Sequence, residues 1–250
     1  MPVPDVSIVL NAHREGAICG PSVRSFRAAA ARARAEGLSV QEIAILDRPD
    51  LPTRTMLEPL AGHGVDVLTV DLGNLPMARN AGVAASAGDF VAFLDADDLW
   101  GENWLVDAYR FCSGAGSDTI AHPELNVVFG AEQYLRWHVD SEGPDFDARY
   151  LRVANYWTSL AFAHRTVFER YPWAPISIED GYGYEDWHWN CVTLEAGISH
   201  RPVPGTVHFI RRRRRSLLAT SADHDLVPRP TGLSSFEWSA PPQPKSALSE

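Results

Sequence analysis

Two hundred and fifty residues, 45% hydrophobic and 22% charged, suffice for one large folded domain or two small ones and exclude a disordered, collagen-like or coiled-coil chain. Asp and Glu outnumber Lys and Arg by 32 to 22, and the resulting charge of −10 opposes long-range attraction to nucleic acid. Three widely spaced cysteines, Cys19, Cys112 and Cys191, make neither a disulfide framework nor a zinc knuckle, and read as reduced, buried thiols.

The first half alternates β-rich and helical runs. Val6 to Leu10 predicts a strand, followed by an Ala/Arg-rich helix from about Pro21 to Glu36 that Gly37 can stop. The cycle repeats with Glu42 to Leu46 and a helix near Thr55 to Gly62, with Val65 to Val70 and a helix from about Pro76, and with Phe90 to Leu94 and a helix from Glu102 to Cys112. Four strand-then-helix units in a row predict an α/β fold with a mostly parallel sheet. After residue 113 come two short strands, Thr119 to Ala121 and Asn126 to Phe129, and a surface loop from Asp140 to Asp147. An apolar run, Trp157 to Ala163, precedes a short helix at Thr166 to Arg170, a Gly/Tyr-rich loop at Gly181 to Tyr184, a helix opening at Glu185 and a strand at Val207 to Ile210. Residues 228–250 are rich in Pro and Ser, and Pro241 to Glu250 is expected to be a mobile tail. No apolar stretch reaches the roughly 18 to 20 residues that cross a bilayer. The start of the chain has no basic region of a secretory signal, so the expected place is the cytoplasm.

In an open α/β sheet the ligand sits outside the carboxyl ends of the strands, where this chain concentrates its polar residues. Asn11, Ala12, His13, Arg14 and Glu15 follow the first strand, Asp47 the second and Asp71 the third. The fourth, Phe90 to Leu94, ends in Asp95-Ala96-Asp97-Asp98. Carboxylates crowded at the mouth of a buried strand repel one another unless a cation sits among them, and oxygen ligands favour Mg²⁺ or Mn²⁺ over zinc. Helix capping in a solvated turn is the ordinary alternative use of such aspartates.

Upstream of that cluster lies Asp71-Leu72-Gly73-Asn74-Leu75-Pro76-Met77-Ala78-Arg79-Asn80-Ala81-Gly82, and Ala87-Gly88-Asp89 leads into the strand. The combination resembles the family 2 glycosyltransferases, whose GT-A fold is Rossmann-like, with a mixed, mostly parallel central sheet flanked by helices in a single domain. The match runs almost unbroken from Pro76 to Trp100 and resumes at Gly183-Tyr184-Glu185-Asp186-Trp187, so the resemblance spans roughly residues 5–210. It implies one domain over residues 1–227, with a nucleotide-sugar half of about 1–113 and an acceptor half of about 114–227.

The same resemblance implies that Asp95, Ala96 and Asp97 form an Asp-x-Asp motif that contacts a nucleotide diphosphate sugar, with Asp95 and Asp97 on a divalent metal and Asp97 the more direct ligand. Asp47 would contact the nucleoside, with Asn11, His13 and Glu15 beside it, and Arg79 would reach the phosphates. Glu185 and Asp186 would be the catalytic pair, Asp186 removing the proton of the acceptor hydroxyl. His208 would complete the metal site, and Trp187 would stack an acceptor sugar. Arg211 to Arg215, an unbroken basic run, is a candidate for neutralising a diphosphate or a lipid phosphate, hence for peripheral contact at the inner face of the membrane.

Two departures touch the nucleoside pocket. Asn11-Ala12-His13-Arg14 stands where relatives have Pro-x-Tyr-Asn, and Asp47-Arg48-Pro49-Asp50 where they have Asp-Asp-Gly-Ser. Base and sugar are therefore not to be read from typical relatives. The expected activity is transfer, with inversion, of a sugar to a hydroxyl of a glycan or lipid-linked saccharide. The alternatives are a nucleotidyltransferase, for which Asn11 to Gly16 is a poor phosphate loop, and a glycan-binding or scaffolding module without turnover.

Overall fold

The computed structural model describes residues 3–213 and 217–234. Its strands are β1 (Val6–Ala12), β2 (Val40–Asp47), β3 (Asp66–Val70), β4 (Phe90–Asp95), β5 (Leu99–Trp100), β6 (Thr119–Gly130), β7 (Tyr134–Trp137), β8 (Phe162–His164) and β9 (Ser199–Arg212). The helices are α1 (Cys19–Ala35), α2 (Leu51–Leu57), α3 (Leu75–Ala85), α4 (Trp104–Ala115), α5 (Arg165–Arg170), α6 (Glu185–Glu195) and α7 (Leu217–Asp223). One sheet runs β3-β2-β1-β4-β8-β6-β9-β5, with β7 paired to β6 off this path. The β3-β2-β1-β4 half is parallel. Beyond it β8 runs antiparallel to both β4 and β6, and β6 and β9 are parallel to each other.

Every residue of β1 is buried, as expected of a parallel strand covered on both faces. Successive side chains enter opposite layers. Ile8, Leu10, Ala92 and Leu94 pack with Phe26, Trp104 and Leu105 of α1 and α4. Val9, Ile43, Val91 and Phe93 pack with Ala78, Phe168 and Trp189 of α3, α5 and α6. Helix α3 lies so close to the sheet that a Cβ on Gly82 would stand 2.6 Å from Val9 Cγ1, so glycine sets the approach of the helix that carries Arg79.

Several boundaries differ from expectation. The two short strands after residue 113 are one strand, β6, whose register against β9 shifts between Pro123 and Leu125. The apolar run from Trp157 yields only the short β8, and β5 and β7 gave no clear signal because two to four residues are too few for periodicity. Helix α2 starts before Thr55, at Leu51, because the Asp50 side chain accepts the Thr53 backbone N–H at 3.0 Å and caps it. The first residues of the Pro/Ser-rich segment are attached to the domain. Arg229 Nη2 donates to the Pro175 carbonyl at 3.2 Å, and the Leu233 N–H donates to Glu195 at 2.6 Å. Pro241 to Glu250 lie outside the described residues.

Candidate active site

A cleft of about 970 Å³ opens at the carboxyl ends of the parallel strands. In-register pairing of β1 with β4 sets Asn11 beside Asp95 on its floor. The Asn11 side chain is buried, and neither polar atom of its amide has a partner among the described residues. Asp47, His13, Glu15, Arg79, Ala96, Asp97, Glu185, Asp186 and Trp187 also line this cleft. The two sequence segments that carry the resemblance, around residues 76–100 and 183–187, thus meet at one place.

Arg79 is the connection. Only 1% exposed, its guanidinium donates through Nη1 to Glu185 Oε1 at 2.9 Å and through Nη2 to Asp95 Oδ2 and Ser159 Oγ, each at 2.9 Å. Burial opposes its charge, yet Asp95 and Glu185 together raise its pKa above the ordinary arginine value. The guanidinium carbon also lies 5.2 Å from the ring centroid of Trp173. Trp173 is held in turn by Asn80 one position along α3, which donates to its carbonyl and accepts from its N–H, both at 2.9 Å. The Arg-Asn pair therefore fixes two separate segments against one helix. Arg79 thus lies in the wall of the cleft and not on the exposed face of its helix.

Asp97 lines the same cleft as Asp95 and is the more buried of the two. Its carboxylate forms an ion pair with Arg213 at 2.8 Å, and Arg213 reaches Glu15 at 3.5 Å. Burial, with Asp95 and Glu15 adding repulsion against Arg213, pushes the Asp97 pKa up to about 6. Asp98 turns inward and accepts the Arg211 backbone N–H at 2.6 Å; burial raises its pKa well above the carboxylate range. The basic run is thus partly internal. Arg211 covers the Phe129 ring at 4.5 Å, Arg212 and Arg213 line the cleft, and Arg214 and Arg215 lie outside the described residues.

The loop after β3 closes one side of the cleft. Asp47 accepts the backbone N–H groups of Leu72, Gly73 and Asn74 at 2.8 to 3.0 Å, so its carboxylate is spent on shaping this loop. His13 Nδ1 is hydrogen-bonded to the Asp47 carbonyl, and the His13 N–H donates to Glu15 Oε2 at 2.6 Å. The residues after strands one and two, where the sequence departs from its relatives, therefore brace one another.

Glu185 and Asp186 open α6, preceded by Tyr184 in the left-handed region at φ 51°. Glu185 is neutralised by Arg79, whereas Asp186 accepts only the Trp187 N–H, at 2.8 Å, among the described residues. Burial, then the neighbouring Glu185, lifts the Asp186 pKa to about 6 against the pull of Arg79 and Arg136. Burial outweighs the helix N-terminus, which alone would lower it. Trp187 faces the cleft, with its indole N–H donating to the Leu151 carbonyl at 2.8 Å.

His208 does not join the carboxylates. It lies on β9 inside the core, 0% exposed, its ring centroid 4.5 Å from that of Trp104, and neither ring nitrogen has a partner among the described residues. Burial holds its pKa well below the ordinary histidine value. A lone histidine in an apolar strand looks the same in sequence whether it faces a ligand or a tryptophan. Among the described residues no three His, Cys, Asp or Glu side chains gather to hold a metal. The cleft also contains residues that the sequence did not single out: Ser159, Tyr134, Arg136 and Tyr150. Tyr134 and Arg136 share one face of a four-residue strand, too short for its alternation to be read from the sequence.

The family model for glycosyl transferase family 2 matches residues 7–171, more than half of the chain. The chain belongs to this family. A succinoglycan biosynthesis protein, ExoO, of Rhizobium meliloti (strain 1021) is 29% identical over 141 residues, which are 56% of this chain and 38% of that protein. An uncharacterized glycosyltransferase of Nostoc sp. (strain PCC 7120) is 29% identical over 111 residues, 40% of this chain and 33% of that one. The chain thus spans well under half the length of these curated relatives. Among solved structures, S. aureus TarS 1-349 superposes with a TM-score of 0.59 at 14% identity, over 83% of this chain and 60% of that one. Its complex with UDP-GlcNAc gives 0.59 at 15% identity, over 86% and 61%. These likenesses establish the fold, the expected mixed, mostly parallel GT-A architecture. No helix among the described residues is long and apolar enough to cross a membrane.

Proposed function

We propose that this chain transfers a sugar from a nucleotide diphosphate sugar to a hydroxyl of a glycan or lipid-linked saccharide, with inversion at the anomeric carbon. The observation that carries this reading is the bridge from Asp95 through Arg79 to Glu185, which joins the donor-side and acceptor-side motifs in one cleft. Family membership and a relative named for succinoglycan biosynthesis support it. A uridine nucleotide is the first donor to test, since TarS was solved with UDP-GlcNAc.

In this reading the acceptor oxygen bonds to the anomeric carbon as the bond from that carbon to the diphosphate breaks, and Asp186 takes the hydroxyl proton. A carboxylate with a pKa of about 6 is ionised at neutral pH yet basic enough to accept it. Arg79 engages Glu185 in a buried ion pair, so Asp186 is the member of the pair left to take that proton.

Asp97 is the better candidate for a divalent metal. Arg79 occupies both oxygens of Asp95, whereas Asp97 carries a single ion pair, to Arg213, in a pocket crowded with negative charge. One or two carboxylates plus phosphate oxygens make an ordinary Mg²⁺ site, so the residues fit the group without His208. When bound, the metal would neutralise charge on the departing diphosphate. Asp97→Asn should abolish the Mn²⁺-dependent part of UDP binding in calorimetry while leaving the melting temperature intact. Unchanged binding would remove Asp97 from the donor site. Release of UDP from UDP-sugars, with and without an acceptor, separates transfer from a scaffold without turnover.

A further inference from the structure

Two cations in the cleft are left over by the chemistry above. Arg136 on β7 and Arg212 at the end of β9 flank β6, which pairs through Asn126 with the one and through Gly130 with the other. Both line the cleft, and among the described residues neither has a carboxylate at ion-pair distance. Arg136 donates to the Asn155 carbonyl, a neutral acceptor. The Nε of Arg212 is buried without a partner among the described residues. The donor-side carboxylates have nearer partners: Asp95 has Arg79, Asp97 has Arg213, and Asp98 accepts the Arg211 backbone N–H, with Arg212 attracting it only from beyond ion-pair distance.

The charges that act on Arg136 place it on the acceptor side. They are Asp186, the phenols of Tyr134 and Tyr150, and Arg212, whose repulsion adds to burial in weakening the protonated state of Arg136. Two guanidinium groups on one partly dehydrated wall both favour an anion passing along it, and planar, forked donors suit phosphate or carboxylate oxygens. Tyr134, two residues from Arg136 on the same strand face, and Tyr150 are 42% and 46% exposed at this wall, and offer ring faces to a chain passing over it.

Resting on the glycosyl-transfer reading, we propose that the acceptor is a polyanionic chain, a glycan or polyol bearing phosphate or carboxylate groups, whose anion is gripped by Arg136 and Arg212 near the hydroxyl that faces Asp186. The net charge of −10 repels such a chain at a distance, so recognition depends on these local cations and weakens with salt.

Calorimetry on the full chain with matched probes tests this. The probes are an oligogalacturonide, its neutral methyl ester and a glycerol-phosphate oligomer, with UDP and Mn²⁺ titrated in parallel. At least one anionic oligomer should bind at least tenfold more tightly than the ester, and whichever does so identifies carboxylate or phosphate as the source. Arg136→Gln and Arg212→Gln should each weaken that binding about tenfold and leave UDP affinity within twofold. Arg212→Gln decides the matter if loss of the Asn155 contact lowers the melting temperature of the Arg136 variant. Equal binding of the ester, no binding of either anionic oligomer at millimolar concentration, or a loss that falls on UDP instead would each overturn the proposal. Failure of the underlying reading shows separately, as wild-type protein that neither binds UDP nor releases it from any UDP-sugar.

Discussion

The guanidinium of Arg79 lies 2.9 Å from Glu185 Oε1, a residue 106 positions further along the chain, and both side chains are buried. The same guanidinium holds Asp95, so one cation on α3 fixes the ends of β4 and α6 relative to each other. Removing either partner leaves an uncompensated charge.

Arg79→Met should therefore destabilise the fold by about 3 to 5 kcal/mol, the range for breaking a buried ion pair by deleting one partner. Urea unfolding measures it. Arg79→Lys should recover part of the loss, since one ammonium cannot reproduce the fork to Glu185, Asp95 and Ser159. A loss under 1 kcal/mol for the Met variant would mean that Asp95 and Glu185 find solvent or each other without cost.

Asp186→Asn separates chemistry from stability. Turnover should fall by a factor on the order of 10² to 10⁴ with UDP affinity retained. The wild-type rate should show an acid limb near pH 6, where the carboxylate loses its charge. Because the folded pKa is raised above the unfolded value, the folded state keeps a proton that the unfolded chain releases between about pH 4 and 6, and stability is lost as pH rises through 6. The Asn variant should thus be more stable than wild type at pH 8, by on the order of 1 to 3 kcal/mol, and equal to it near pH 3.5. Equal stability at both pH values would show that Asp186 is well solvated.

The opposite sign holds for His208. Its folded pKa is depressed, so the unfolded chain takes up a proton below pH 6.5 that the folded chain refuses, and stability is lost on acidification. His208→Phe keeps a ring against Trp104 and removes that linkage. The variant's advantage over wild type should grow by about 1.4 kcal/mol per pH unit below 6.5. A constant difference between pH 8 and pH 5 would place the imidazole in water, and reopen it as a ligand.

Arg213 occupies the carboxylate that a metal would use. Arg213→Ala should tighten Mn²⁺ binding two- to fivefold in the absence of nucleotide, the scale of a half-exposed ion pair. Weaker Mn²⁺ binding would mean that Arg213 orders Asp97 for the metal rather than competing with it.

Legibility in the sequence followed the range of the forces involved. The buried strands β1, β2 and β4 are near-continuous apolar runs, and the sharp change from Leu94 to Asp95 marks where β4 meets solvent; both signals are local. The grouping of Asp95, Asp97, Glu185 and Asp186 came from resemblance, and they do line one cleft. What no local signal carries is which partner a polar side chain meets. Asp47 turned to the 72–74 loop, Arg79 to two carboxylates and His208 to Trp104, each across dozens of residues or to a neighbour on another strand or helix. Arg136 escaped notice because its strand is four residues long and it reaches the cleft only through the pairing of β7 with β6.

Strand β8 lies between β4 and β6, and Asn74 and Asn80 clasp the backbone of residues 173–176 from the other half of the chain. The N-terminal half expressed alone would leave the edge of β4 unpaired and both asparagines without their carbonyls. A protease cut within the exposed 140–147 loop, by contrast, severs none of these attachments, so the nicked chain should co-elute as one particle and part only in denaturant. The two halves of the chain are in this sense one interlocked object, and exchanging either for that of a relative would require replacing the clasp with it.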